Sequence, residues 1–157
     1  MRYLNKFIGA GLVFVALLLS LMFYLVRFVS LSFAQENPDI AYMRLPILLL
    51  VYLMLLMLIA AILIAAYLLF KSTSENIFSI RSVQGLYRMG HCFSIASIAN
   101  FSIIIYSFSQ LGEEVGILGV YLIAACAVVL IATMVMYFIA NLFKRAVEFK
   151  EENEMTV

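Results

Sequence analysis

Long apolar runs set the pattern of this chain. Four stretches without Asp, Glu, Lys or Arg occupy residues 7–26, 45–70, 89–108 and 117–143. Each is long enough for a helix to cross a hydrocarbon core, which takes about 20 residues. None shows the period-two alternation of a lipid-facing β-strand. The pattern predicts an all-α membrane protein, an antiparallel four-helix transmembrane bundle forming a single integral-membrane domain over residues 1–157.

Composition excludes the water-soluble classes of protein. The chain is 66% hydrophobic and only 12% charged, whereas soluble domains are roughly 45–50% apolar and about 25% charged. A formal net charge of +1 provides no general basicity for holding nucleic acid. We therefore expect contact with the lipid bilayer and no direct contact with nucleic acid.

The Lys and Arg residues predict an orientation. Of the ten, only Arg27 and Arg44 fall in the first loop, and none falls in the third. The others lie at the two termini and in the second loop. The excess of Lys and Arg in cytoplasmic segments then places the N- and C-termini in the cytoplasm.

Turn and cap residues mark the connections between spans. The first outer loop is predicted over about Arg27 to Arg44, with Asn37-Pro38 starting a turn. Pro46 falls in the first turn of the second helix, where its missing N–H costs nothing.

The other two connections carry similar signals. Ser79 is a plausible N-cap for a helix beginning at Ile80. Gly112 and Gly116 bracket Glu113-Glu114, and this favours a short outer turn over a helix-dimerisation motif.

The C-terminal segment 144–157 is predicted to extend the fourth helix into the cytoplasm. Lys144/Glu148 and Lys150/Glu154 have the i,i+4 spacing of helical ion pairs. Two interpretations stay open, a solvated helix end lying against the membrane and a docking surface for a cytoplasmic protein. The candidate docking residues, including two that would also face lipid phosphates, are Arg81, Arg88, Lys144, Arg145, Phe149, Glu152 and Asn153.

A polar stripe runs along the third helix. Ser94, Ser97 and Asn100 recur every third residue, and such groups form hydrogen bonds between helices in lipid. We favour helix packing, with a small-ligand or lipid pocket centred on Asn100 as the functional alternative. The expected small close-approach positions on the neighbouring helices are Ala61, Ala65, Ala124 and Ala127.

Residues that carry chemistry are scarce. The four runs contain no ionisable carboxylate or cation of the kind that marks transport or proton relay. His91 is the single histidine. It lies i,i+3 from Ser94, but no third orienting group accompanies the pair, and we expect His91 to bond to headgroups or backbone. We therefore predict no catalytic, cofactor-binding or metal-binding residue, no cofactor, and a protein that is not an enzyme.

Three segments together resemble a known family. They are Glu36-Asn37-Pro38-Asp39-Ile40-Ala41-Tyr42 leading through Pro46, Asn76-Ile77-Phe78-Ser79, and the ending Glu152-Asn153-Glu154-Met155-Thr156-Val157. Their order and spacing resemble the bacterial domain-of-unknown-function family 2975 of small four-span membrane proteins. Met155 stands where that family more often has leucine. The similarity covers nearly the whole chain, and it implies a bacterial inner-membrane location.

The resemblance supplies no catalytic residue, but it implies a gene context. Such genes commonly sit beside one for a small helix-turn-helix transcription regulator. The first hypothesis is therefore a non-catalytic regulatory partner that binds this regulator at the membrane. The alternative is a small transport or self-protection (immunity) protein handling a hydrophobic compound or peptide. A third hypothesis, an intramembrane enzyme using His91 and Ser94, has the least support, and a homo-oligomer is left open.

Overall fold

Four long helices make up almost the entire structure. The computed structural model describes residues 2–71, 79–112 and 116–155. The helices are α1 (Arg2–Glu36), α2 (Arg44–Lys71), α3 (Ile80–Leu111) and α4 (Gly116–Met155), with a 3₁₀-helix at Pro38–Met43. All four are long and apolar enough to cross a membrane. The prediction of an all-α, four-span membrane protein is confirmed.

Several sequence predictions fall outside this description. They concern Asn76 to Phe78, Glu113 and Glu114, and Thr156 and Val157. The predicted pair Lys150/Glu154 also involves a side chain that is not described.

The helices pack in chain order. α1 packs on α2, α2 on α3, and α3 on α4, and within the described ranges α1 and α4 do not meet. Neighbours run antiparallel, since Gly9 approaches Phe70 near one end of the first pair and Phe23 contacts Tyr52 further along. The bundle is therefore an open row, with α2 and α3 central and α1 and α4 at the edges.

The connection between α1 and α2 is shorter than predicted. The expected loop from Arg27 to Arg44 is wrong, because α1 continues to Glu36. A single arginine does not end a helix, and the first residue that lacks a backbone N–H is Pro38. At the far side of the turn, Arg44 Nε donates to Ser30 Oγ at 2.8 Å. This bond joins the start of α2 to the last turns of α1.

The predicted helix boundaries elsewhere are confirmed. Ser79 caps α3, and its Oγ accepts from the backbone N–H of Ser82 at 3.3 Å. Pro46 lies in the first turn of α2. Gly112 and Gly116 have φ of 55° and 48°, a left-handed conformation that glycine adopts without a Cβ penalty. They close α3 and open α4.

The core lies along α3, which buries residues on two sides. On α4, the buried positions repeat every seven residues. They are Gly119, Cys126, Thr133, Ala140 and Val147. A seven-residue repeat keeps one narrow stripe facing a partner helix. Only 6% of the most apolar window of α4 is buried, compared with 33% for α3. Among the described residues α4 packs against α3 alone, and most of its apolar surface is exposed.

Candidate functional site

The seam between α3 and α4 is built around the hydroxyl of Tyr137. Gly90 permits this approach, because a Cβ there would lie 3.0 Å from Tyr137 Cε1. The hydroxyl lies 2.9 Å from His91 Nδ1 and 3.3 Å from Ser94 Oγ. The side chains of His91 and Ser94 on α3 therefore both contact the hydroxyl oxygen of Tyr137 on α4.

Two arrangements of the hydrogens fit these contacts, because Tyr137 has one proton to donate. In the first, Ser94 donates to the carbonyl of Gly90 at 3.0 Å, Tyr137 donates to Ser94, and His91 Nδ1–H donates to Tyr137. In the second, Ser94 donates to Tyr137, and Tyr137 donates to His91 Nδ1. In both, the Tyr137 hydroxyl of α4 joins two side chains of α3.

Two more contacts extend the seam on either side. Tyr87 donates to Asn141 Oδ1 at 2.5 Å. Ser97 Oγ lies 3.3 Å from Thr133 Oγ1. We call these contacts, together with the Tyr137 cluster, the polar ladder. Because its bonds join side chains at matched heights, the ladder fixes how far α4 is shifted along α3.

This geometry bears on the enzyme hypothesis. A nucleophile needs a base that takes its proton. Here Tyr137 lies between Ser94 and His91. The expectation from the sequence was a bond from His91 to headgroups or backbone; in the structure its Nδ1 bonds to the Tyr137 hydroxyl. In the part of the chain that is described, no group of three His, Cys, Asp or Glu could hold a metal ion.

Asn100, the third residue of the predicted stripe, faces the other way. Its Nδ2 donates to Met54 Sδ of α2 at 3.6 Å. It is 2% exposed, and its Oδ1 has no hydrogen-bond partner among the described atoms. The structure therefore divides the stripe, with Ser94 and Ser97 on the α4 seam and Asn100 on the α2 seam.

The predicted small positions are partly wrong. Ala61 is 1% exposed, as a close-approach position should be, and Ala65 is half-buried. Ala124 and Ala127, however, are exposed. The stripe of α4 that faces α3 passes through Cys126 instead. Small side chains on a lipid-facing surface have no partner helix to approach.

The candidate docking residues fall in two places. Arg81 and Arg88 line a cleft of about 490 Å³ between the end of α2 and the start of α3. The others, Lys144, Arg145, Phe149, Glu152 and Asn153, lie on the last part of α4. Of the predicted ion pairs, Lys144 Nζ and Glu148 Oε1 are 3.8 Å apart. The candidates therefore do not form one surface.

The end of α4 projects beyond α3. The bond between Tyr87 and Asn141 sets the register, and α3 begins at Ile80. Val147 is the last buried residue among the described side chains of α4, at 7% exposed. The remaining helix to Met155 adds about 12 Å at 1.5 Å per residue. Phe149 within it is 66% exposed.

The α4 half of the ladder is not among the predicted site residues. It consists of Thr133, Tyr137 and Asn141. A signal was present, since the seven-residue repeat of Gly119, Cys126, Thr133, Ala140 and Val147 marks the packed face. The three missed residues lie on or next to that face.

These features define a multi-pass, all-helical membrane protein whose central helix carries a polar seam. The family model described as protein of unknown function (DUF2975) matches residues 29–157, and the chain belongs to this family. The resemblance stated from the sequence is thereby confirmed, but the match begins at Val29 and leaves most of α1 outside. No curated protein and no solved structure shows significant similarity to the chain.

Proposed function

We propose that this protein is a non-catalytic regulatory partner in the bacterial inner membrane, with both termini in the cytoplasm. It would bind a small helix-turn-helix transcription regulator and hold it at the membrane. The observation that carries the proposal is the end of α4, which extends past α3 with Phe149 exposed. The gene context that the family resemblance implies supplies the class of partner.

The exposed face of α4 has the spacing of a helix that docks into a groove. Leu142, Ala146 and Phe149 lie at i, i+4 and i+7, which is the anchor pattern of such helices. Leu142 is 48% exposed and Phe149 is 66% exposed. The opposite face, at Ala140 and Val147, is buried. Binding a partner would therefore not require α4 to leave α3.

Charged side chains surround this apolar face. Lys144 and Arg145 precede Phe149, and Glu152 and Asn153 follow it. A central aromatic anchor within a polar rim is the usual anatomy of a protein interface. We assign the docking surface to these α4 residues and treat Arg81 and Arg88 separately below.

The test is capture of the regulator encoded beside this gene. The full chain, solubilised in detergent, should co-purify with that regulator. Phe149→Ala should weaken the complex about tenfold, as expected for a buried aromatic anchor. Phe138→Ala is the matched control, because Phe138 is 63% exposed on the spanning part of α4, and it should leave capture unchanged.

Deletion of residues 149–157 extends the test without disturbing Val147. It should abolish capture and change expression of the regulator's target genes. A regulator that stays fully soluble beside the intact protein would refute the proposal. So would target genes that ignore loss of this protein.

The alternative, a transport or self-protection protein, has one observation in its favour. The Oδ1 atom of Asn100 is buried without a partner among the described residues, and a polar ligand or substrate group could satisfy it. Asn100→Ala together with Ser97→Ala should then abolish a measurable efflux or resistance phenotype. An unchanged phenotype at normal expression would reject this function.

A further inference from the structure

A cleft opens where α2 ends and α3 begins. Its volume of about 490 Å³ lies within the roughly 300–1,000 Å³ typical of small-molecule sites. The wall from α2 is apolar and includes Leu63, Ile64 and Leu68. Gly85 brings α3 close to this wall, since a Cβ there would lie 2.8 Å from both terminal methyl carbons of Leu68.

The rim of the same cleft is cationic. Arg81 and Arg88 belong to α3, and Lys71 is the last residue of α2. The two arginines are seven residues apart, so they lie on one face of the helix. Ser82 and Gln84 add uncharged polar groups, and among the described residues no Asp or Glu lines the cleft.

The guanidinium groups are available to a ligand. Within the described ranges, neither Arg81 nor Arg88 forms an ion pair or hydrogen bond, and both are exposed. Lys71 is engaged differently, with Nζ 5.8 Å from the ring centroid of Tyr67. Arginine suits phosphate because its planar donors can bind two oxygens at once.

We propose that this cleft binds the headgroup of an anionic phospholipid. The phosphate would lie between Arg81 and Arg88, and the start of an acyl chain would lie along Leu63 and Ile64. The site combines cations with an apolar wall at the end of a membrane-spanning helix, where headgroups are found. Basic pockets between transmembrane helices bind lipid headgroups in this way. The inference goes beyond the proposed function and requires no regulator.

Two features favour a lipid over a free phosphate compound. The apolar wall extends from Leu68 back through Ile64 to Leu63, and a small water-soluble anion would leave this surface uncovered. The cleft also joins the lipid-exposed part of α2, where Leu63 is 46% exposed. An amphiphile contacts both parts of the site at once.

The test measures lipid binding to the purified full chain in detergent by native mass spectrometry. Phosphatidylglycerol should bind about tenfold more tightly than phosphatidylcholine. Arg81→Gln with Arg88→Gln should weaken phosphatidylglycerol binding about 30-fold, at about 1 kcal/mol for each basic residue. Lys6→Gln with Arg145→Gln removes the same charge from exposed positions outside the cleft and should change binding by less than about twofold.

Two further arms make the result decisive. Arg81→Lys with Arg88→Lys keeps the charge and should retain most of the binding, which separates loss of charge from misfolding. Glycerol phosphate at millimolar concentration should not displace the lipid. Equal binding of the two lipids, equal loss in the Lys6/Arg145 control, or full displacement by glycerol phosphate would each overturn the proposal. Because the readout is lipid mass, its failure would leave capture of the regulator untouched.

Discussion

The seam between α1 and α2 and the seam between α3 and α4 hold their helices by different means. In the first, the Phe23 and Tyr52 rings pack at a tilt of 49° with centroids 5.0 Å apart, and Tyr52 donates to the carbonyl of Phe23 at 3.2 Å. The side-chain bond of this seam, from Arg44 to Ser30, lies at its end, where α2 begins. In the second seam, side chains of both helices bond to each other at several heights along the polar ladder. Several such bonds in a row allow one register, whereas aromatic packing with a single side-chain bond at one end constrains it less.

The contrast between the two seams coincides with the start of the family match. The family match begins at Val29, so the ladder lies inside it and most of α1 lies outside. In lipid, apolar surface gives no net drive for two helices to associate, and packing and polar bonds decide the contact. We infer that α2 to α4 are the specified unit of this fold and that α1 is held by packing and by fewer polar bonds.

The largest expected effect comes from forcing the two helices of the ladder apart. Gly90→Leu places a side chain where Tyr137 packs at 3.0 Å. Overpacking of this kind costs about 1–3 kcal/mol, and the lost bonds of Tyr137 place the change at about 3 kcal/mol. Unfolding in sodium dodecyl sulphate, followed by circular dichroism, measures it.

Gly11→Leu provides the matched control on α1. No heavy atom lies within 4 Å of a Cβ at Gly11, and leucine is a better helix former than glycine. Its stability should change by less than about 1 kcal/mol, in the stabilising direction. Equal losses from the two substitutions would mean that the α3–α4 seam is no more specific than the outer face of α1.

Removal of one hydroxyl from each seam is expected to have the next largest effect. Tyr137→Phe deletes the oxygen that bonds both His91 and Ser94. Tyr52→Phe deletes one bond to a backbone carbonyl. At about 0.6 kcal/mol or more for each bond in a membrane protein, we expect losses of about 1–2 and about 0.6 kcal/mol by the same unfolding assay. The reverse order would contradict the contrast between the seams.

The helices and their ends could be predicted from the sequence, whereas the helix faces that pack together could not. The four spans, the Ser79 cap and the two glycines between α3 and α4 follow from local chemistry, because caps and φ preferences act within a few residues. The residues of α4 that face α3 do not follow from local chemistry. Lipid is as apolar as the protein interior, so hydrophobicity does not distinguish the buried Cys126 from the exposed Ala124 and Ala127.

The polar residues also show that a sequence pattern does not reveal which helix a side chain faces. Ser94 and Ser97 were recognised as a polar stripe, but the stripe alone could not show that Asn100 turns towards α2. That orientation depends on the three-residue spacing drifting around a helix with about 3.6 residues per turn. Tyr137 lies near the end of the fourth apolar run, and tyrosine is common at membrane interfaces, so its position alone does not predict a bond to another helix. Only the helix register brings its hydroxyl to His91.

A double-mutant cycle tests a single rung of the ladder. Ser97 and Thr133 each donate to a carbonyl of their own helix, at 2.9 and 2.8 Å. One hydroxyl must therefore release that bond to donate across the 3.3 Å gap between them. We expect Ser97→Ala and Thr133→Val to show a coupling of about 0.6 kcal/mol or less. A coupling above about 2 kcal/mol would show that this rung, rather than Tyr137, dominates the seam.

The smallest effect is expected at Asn100, although it is among the most buried polar residues described. Its only described bond is a long one to a thioether sulfur, and sulfur is a weak acceptor. Replacing a poorly satisfied buried polar group by an apolar one of similar size can be nearly neutral or stabilising. Asn100→Leu should therefore change the free energy of unfolding by less than about 1 kcal/mol. A loss of about 2 kcal/mol or more would instead mean that Oδ1 holds a strong partner, such as a buried water or a ligand, and would favour the pocket over packing at this seam.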